Sequence, residues 1–188
     1  MAGLKSIELW GGAATISMPE HLIDASDIRP VPDNQEVYLD PSSGQAVVVE
    51  IVEPVTPPAG TGPAAFCFQD LADVSGAAVK HVHTQRLGTQ DVPHLTDIDF
   101  IEMASGVHVR PKRGNHTEPP VHIMLVLIRL RDTNGDVMLT FSTPGKLTPG
   151  EVAPVSEAEV EKQAVDKADR QFQAMYQSLQ IHDKSLLS

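Results

Sequence analysis

One stretch restricts the folds open to this chain more than any other. Residues 121–131 read Val-His-Ile-Met-Leu-Val-Leu-Ile-Arg-Leu-Arg, a nearly unbroken apolar run. Successive side chains on a strand point to opposite faces of its sheet. A strand that is apolar at consecutive positions therefore needs cover on both faces, which places it centrally with layers above and below. Asp136 to Ser142 forms a second run of strand composition, and Thr133-Asn134-Gly135 lies between the two. Asn-Gly favours a type I′ turn because both residues tolerate positive φ. The spacing predicts a β-hairpin with Asn134-Gly135 as its tight turn.

Other elements arrange themselves around this hairpin. Ser6 to Leu9 and Ala13 to Met18 read as short strands around a Gly11-Gly12 bend. Gln35 to Leu39 reads as a strand, and Ala46 to Val52 has the β-branched composition of another. Pro54 to Pro63 is a loop rich in proline and glycine. Ala64 to Ala72 has helical spacing, with Gly76 as its stop, and Asp99 to Val109 reads as extended. From Glu157 to Leu179, Val160, Ala164, Ala168, Phe172, Met175 and Leu179 recur every three or four residues, the stripe of an amphipathic helix. Ser156 and Glu159 are spaced as a capping box at its start. These elements predict an α+β fold: a mostly antiparallel sheet sandwiched by helices, with a long C-terminal helix. The length of 188 residues suits one domain spanning 1–188.

Charge narrows the partners. The formal net charge is -11, which argues against nucleic acid, since phosphate backbones need clustered Lys and Arg. It equally argues against an anionic membrane surface. A basic protein partner fits it, because opposite potentials speed encounter; simple solubility fits it too. No run approaches the ~20 apolar residues of a membrane helix, and Met1 to Gly12 lacks the apolar stretch of a signal peptide. The single cysteine, Cys67, excludes an internal disulfide and fits a reducing compartment.

Enzyme motifs are absent from the sequence: there is no P-loop, GxGxxG, GxSxG or HExxH. His81 and His83 could share one face of a strand, with His108, His116 and His122 as further ligands. Their spacing matches no standard zinc site, and surface histidines are the simpler reading. Cys67 could pair with a histidine as a nucleophile. Flanked by Phe66 and Phe68, it reads instead as a small buried hydrophobe. No catalytic, metal or cofactor site is expected. The segment from Asp24 to Val37 is dense in polar groups and stiffened by Pro30 and Pro32. It suits an ordered loop feeding a strand and a binding surface equally well.

Order and spacing across these segments resemble a known family. Leu9-Trp10-Gly11-Gly12-Ala13, Asp24-Ala25-Ser26 and Arg29-x-Val31-Pro32-Asp33-x-Gln35-Glu36-Val37 are similar to the N-terminal signature of the Mog family of Ran-binding proteins. Val47 to Glu53 resembles that family's strand carrying two acidic residues three apart. Val126-x-Ile128-Arg129-Leu130 looks like its late strand, and Asp183-x-Ser185-Leu186 its C-terminus. The likeness runs along the whole chain, strongest over 7–53 and weakest over 54–120.

The resemblance implies an antiparallel sheet between helices, a fold shared with an extrinsic photosystem protein family. It implies a non-enzymatic protein of nucleus and cytoplasm, expected to be monomeric, that binds the GTPase Ran and favours release of its nucleotide in support of nuclear transport. A scaffold or trafficking adaptor of the same fold is the alternative. Implied contacts to Ran are Asp24, Arg29, Asp33, Gln35, Glu36, Glu50 and Glu53, with Glu50 and Glu53 as the acidic pair. Residues three apart on a regular strand face opposite ways. The pair can serve one surface only if the strand bulges or stops near Glu53, and Pro54 favours a stop. As surface carboxylates, both should tolerate charge reversal with little loss of stability.

Overall fold

The computed structural model describes residues 3–111, 118–145 and 157–188, with side chains of the last segment from residue 166. Among the described residues, ten strands and two α-helices follow in chain order: β1 (Leu4–Leu9), β2 (Ala14–Pro19), β3 (Ile23–Asp24), β4 (Gln35–Leu39), β5 (Ala46–Val52), α1 (Pro63–Ser75), β6 (Ala78–Arg86), β7 (Ile98–Val109), β8 (Val121–Leu130), β9 (Asp136–Pro144), α2 (Glu157–Ser178) and β10 (Gln180–Ile181). Seven strands form one antiparallel sheet in the order β3-β4-β5-β9-β8-β7-β6. The order β1-β2-β10 makes a second, small sheet. Among the described residues no helix is long and apolar enough to cross a membrane.

The apolar run at 121–130 lies inside the large sheet and feeds a core on each of its faces. β8 lies between β7 and β9, and its side chains divide by parity. Met124, Val126, Ile128 and Leu130 join the larger core with β2 and α2. Leu125 and Leu127 join a smaller core beneath α1, built around Phe68, Cys67 and Ala104. The architecture is thus α1, then the seven-stranded sheet, then α2 beside the small sheet. In α2, Ala168, Phe172, Met175 and Leu179 are all buried, as their spacing predicts. Phe172 stacks on Phe141 at 6.4 Å and meets Tyr176 edge-on at 5.6 Å. Ser156 and the side chains of Glu159, Val160 and Ala164 lie outside the described residues. Gly76 closes α1 in the left-handed region at φ 66.

Two local readings need correction. The β8–β9 connection is not a two-residue type I′ turn. It spans 131–135, Asp132 takes the positive φ of 61, and neither Asn134 nor Gly135 has positive φ. A tertiary contact overrides the local preference: both Asn134 and Gly135 donate their backbone N–H to the Leu187 carbonyl, at 2.9 and 3.0 Å. Gly135 is needed for closeness, since a Cβ there would lie 3.0 Å from Ile51 Cγ2. The second correction concerns 78–86, which forms edge strand β6 with a register shift between Lys80 and His83. His81 sits at φ 54, so the period of two that would align His81 with His83 is broken there.

A buried ion pair fixes the base of this connection. Arg129 donates to both carboxylate oxygens of Asp136 at 2.7 Å, and its guanidinium lies 4.7 Å from the centre of the Phe100 ring. The Asp136 side chain is fully buried, whereas Arg129 keeps 25% of its side-chain exposure. The two halves are therefore unequal. Arg129→Ala strands a charge with no water and should cost about 3–5 kcal/mol. Asp136→Ala leaves a guanidinium that still reaches solvent and an aromatic face, and should cost clearly less. Urea denaturation of both variants checks this; equal losses would contradict the asymmetry.

Candidate functional site

The seven residues implied by the resemblance fall into three environments. Gln35 and Glu50 face each other across the β4–β5 ladder, and the Gln35 amide donates to Glu50 Oε2 at 2.9 Å. Strand β5 stops at Val52, so Glu53 stands exposed just beyond the strand end, ahead of Pro54. Arg29 and Asp33 are exposed on the loop entering β4. Asn34 ties that loop to the same end of β5: Ile51 N–H donates to the Asn34 carbonyl at 2.9 Å, and Asn34 Nδ2 donates to the Ile51 carbonyl at 3.1 Å. The loop and the β5 end thus form one rim.

Glu36 and Asp24 are both occupied by backbone groups of the fold. Glu36 lies on the opposite face of β4 from Gln35, and its Oε1 accepts the Trp10 backbone N–H at 2.6 Å. That bond anchors a strained hairpin, because Trp10, Gly11 and Gly12 have φ values of 49, 65 and 95. Glycine accepts such angles freely, but tryptophan does not. Asp24 accepts from Ser26 N–H at 2.8 Å and caps a short 3-10 turn. The spacing of the signature Trp10-Gly11-Gly12 with Glu36 thus has a structural meaning that sequence reasoning missed.

Glu50 differs from the solvated carboxylate expected of it. It is half-buried, and burial pushes its carboxyl above the ordinary value of 4.5, opposed by the Gln35 hydrogen bond. Charge reversal at Glu50 would half-bury an ammonium facing the Gln35 amide donor, so of the pair only Glu53 is an exposed surface position. The other candidate groups are occupied structurally. Cys67 is buried in the smaller core, and burial together with Asp136, Asp70 and Glu50 pushes its thiol up to about 11. That is the reverse of an activated nucleophile. His108 is buried edge-on to Phe68 at 4.7 Å, and burial lowers its proton affinity. His116 lies outside the described residues.

The raised carboxyl of Glu50 has a definite sign for stability. Well below its ordinary value the group is protonated whether the chain is folded or not, and contributes nothing. As pH rises, the unfolded chain ionises first, so the folded chain holds the extra proton and stability falls with pH until the folded group ionises too. Glu50→Gln removes this loss. The variant should melt above the wild type near pH 7, and the gap should close toward about pH 4. Thermal melts across that range test it; a gap that is constant or widens on acidification would contradict the burial of a costly charge.

Comparison with known proteins identifies the family and the fold. A family described as Ran-interacting Mog1 protein matches residues 7–144. The Ran guanine nucleotide release factor of Homo sapiens is 32% identical over 145 residues, covering 77% of this chain and 78% of that protein. The nuclear import protein mog1 of Schizosaccharomyces pombe is 29% identical over 148 residues, covering 73% and 76%. The crystal structure of the Saccharomyces cerevisiae Ran-binding protein Mog1p superposes over the full length of both chains with a TM-score of 0.69 at 24% identity. The PsbP protein of Synechocystis shares the fold, with a TM-score of 0.54 at 14% identity over 96% of this chain and 94% of that one. A signature spanning both sheets, and a fold reproduced from end to end, lead to one assignment: the chain belongs to the Mog1 family of Ran-interacting proteins.

Proposed function

We propose that the chain binds Ran and promotes release of its bound guanine nucleotide, in support of nuclear import. The observation that carries this reading is the acidic end of β5 in a chain of this family. Glu50 is held half-buried by Gln35, and Glu53 is exposed beside it. A carboxylate already oriented loses little conformational freedom on binding. Its desolvation is a standing cost to the free fold, which a basic partner would offset. Arg29 and Asp33 on the neighbouring loop extend the rim.

The mechanism requires no proton transfer by this chain. A GTPase holds its nucleotide with phosphate-binding loops and Mg²⁺. A protein that binds the loosened or empty form more tightly lowers nucleotide affinity by the same factor, because coupling between two ligands is reciprocal. Excess free nucleotide should therefore drive the complex apart. The net charge of -11 would steer a basic surface into contact, an effect weakened by salt through the association rate.

Stopped-flow fluorescence with Ran carrying a labelled nucleotide tests the proposal. Release should accelerate with added protein and approach a plateau. Glu53→Lys should lower the acceleration about tenfold at subsaturating protein and shift stability by less than about 0.5 kcal/mol, as an exposed site should. Faster release that is indifferent to Glu53→Lys would move the surface elsewhere. Binding without faster release would make the chain an adaptor for Ran, and an unchanged rate at saturation rejects exchange.

A further inference from the structure

Next to the acidic end of β5, the surface opens into a groove of about 110 Å³ between that strand and α1. Val52, Val55, Leu71 and Met138 form apolar walls, Cys67 lies within it, and Asp70 is its one lining carboxylate. The groove continues the face that carries Glu50. Met138 is the partner of Glu50 across the β5–β9 ladder, and Val55 follows Glu53 in the same loop. A water molecule takes about 30 Å³, so the space accepts one side chain and not a ring cofactor.

The charge around the groove is one-sided. Asp136, Asp70 and Glu50 all act on the Cys67 thiol within it. Asp136 is neutralised by Arg129. Among the described residues, neither Asp70 nor Glu50 pairs with a cationic side chain. An apolar slot lined by one unneutralised carboxylate, Asp70, with a second, Glu50, beside its wall residue Met138 has a specific complement. Lysine and arginine bury an aliphatic stem along apolar surface and keep a charged head at the polar edge. A small apolar pocket with a few placed polar groups is also how single anchoring side chains are held.

We propose that this groove between α1 and β5 receives one long basic side chain of the GTPase, its stem against Val55, Leu71 and Met138 and its head between Asp70 and Glu50. The inference rests on the Ran reading and adds α1 to the docking surface. It makes Asp70 a specificity determinant that the family resemblance does not single out. A neutral or acidic side chain at the matching position of a partner would be rejected, since it leaves the carboxylates facing an apolar or like-charged group.

Substitutions at the groove supply the test. Asp70→Lys, on the exposed side of α1, should weaken Ran binding about tenfold or more with an unchanged Tm. Val55→Trp, which fills the groove, should weaken it similarly.

Normal Ran binding by both Asp70→Lys and Val55→Trp, with Glu53→Lys still impaired, overturns the groove and leaves the Ran reading intact. Loss of binding with Val55→Trp but not with Asp70→Lys overturns the basic occupant, because the groove then takes an uncharged side chain. No binding of Ran by the wild-type chain overturns both readings together.

Discussion

The two-sided burial of β8 governs this architecture. Met124, Val126, Ile128 and Leu130 on one face, with Leu125 and Leu127 on the other, cannot be satisfied by a two-layer fold. Helix α1 and helix α2 are recruited to opposite faces of one sheet for that reason. The small sheet β1-β2-β10 completes the cover on the α2 side, where β2 contributes Ala14, Ile16 and Met18 to the core. The strand also sets the location of the surface chemistry. Once β9 is bound to β8 and β5 to β9, the end of β5 comes beside α1, and the acidic rim and groove arise where those elements meet.

Much of this was legible in the sequence wherever the signal was local. Strands β4 and β5 begin and end where the sequence places them, and Gly76 stops α1 as its position suggests. The stripe of α2 needed only its spacing. What stayed hidden depended on contacts between distant residues. Strand β6 is exposed along nearly its whole length, so it carries no alternation of apolar and polar residues to reveal it. The connection at 131–135 obeys Leu187 instead of its own Asn-Gly pair. Strand β10 is two residues long and exists only as a partner for β2.

The candidate site divides along the same line. Which residues matter could be suggested from resemblance, but which of them meet could not, because register is a property of paired strands. Gln35 meets Glu50 only because β4 and β5 pair as they do. A shift of one residue would have placed Glu36 there and sent Gln35 to the Trp10 turn. The polar density of residues 24–37 therefore conceals a division of labour. Glu36 and Asp24 hold backbone groups, while Arg29 and Asp33 stay free at the rim. Glu50 stands between the two roles, bonded within the fold yet carrying a charge the fold would be more stable without.

The bond from Asn134 and Gly135 to the Leu187 carbonyl also bears on the order of assembly. The segment from Ser178 onward touches strand β2 through Ser17–Ser178 and Thr15–His182, across 161 and 167 residues of sequence. Contacts so distant in sequence form late, because closing a long loop costs entropy before any contact rewards it. During synthesis the β1-β2 hairpin waits without its third strand, its apolar face open, until nearly 180 residues have emerged. For that interval Ile16 and Met18 lack the α2 side chains they pack with in the finished core, an exposed apolar face of the kind that invites misassembly.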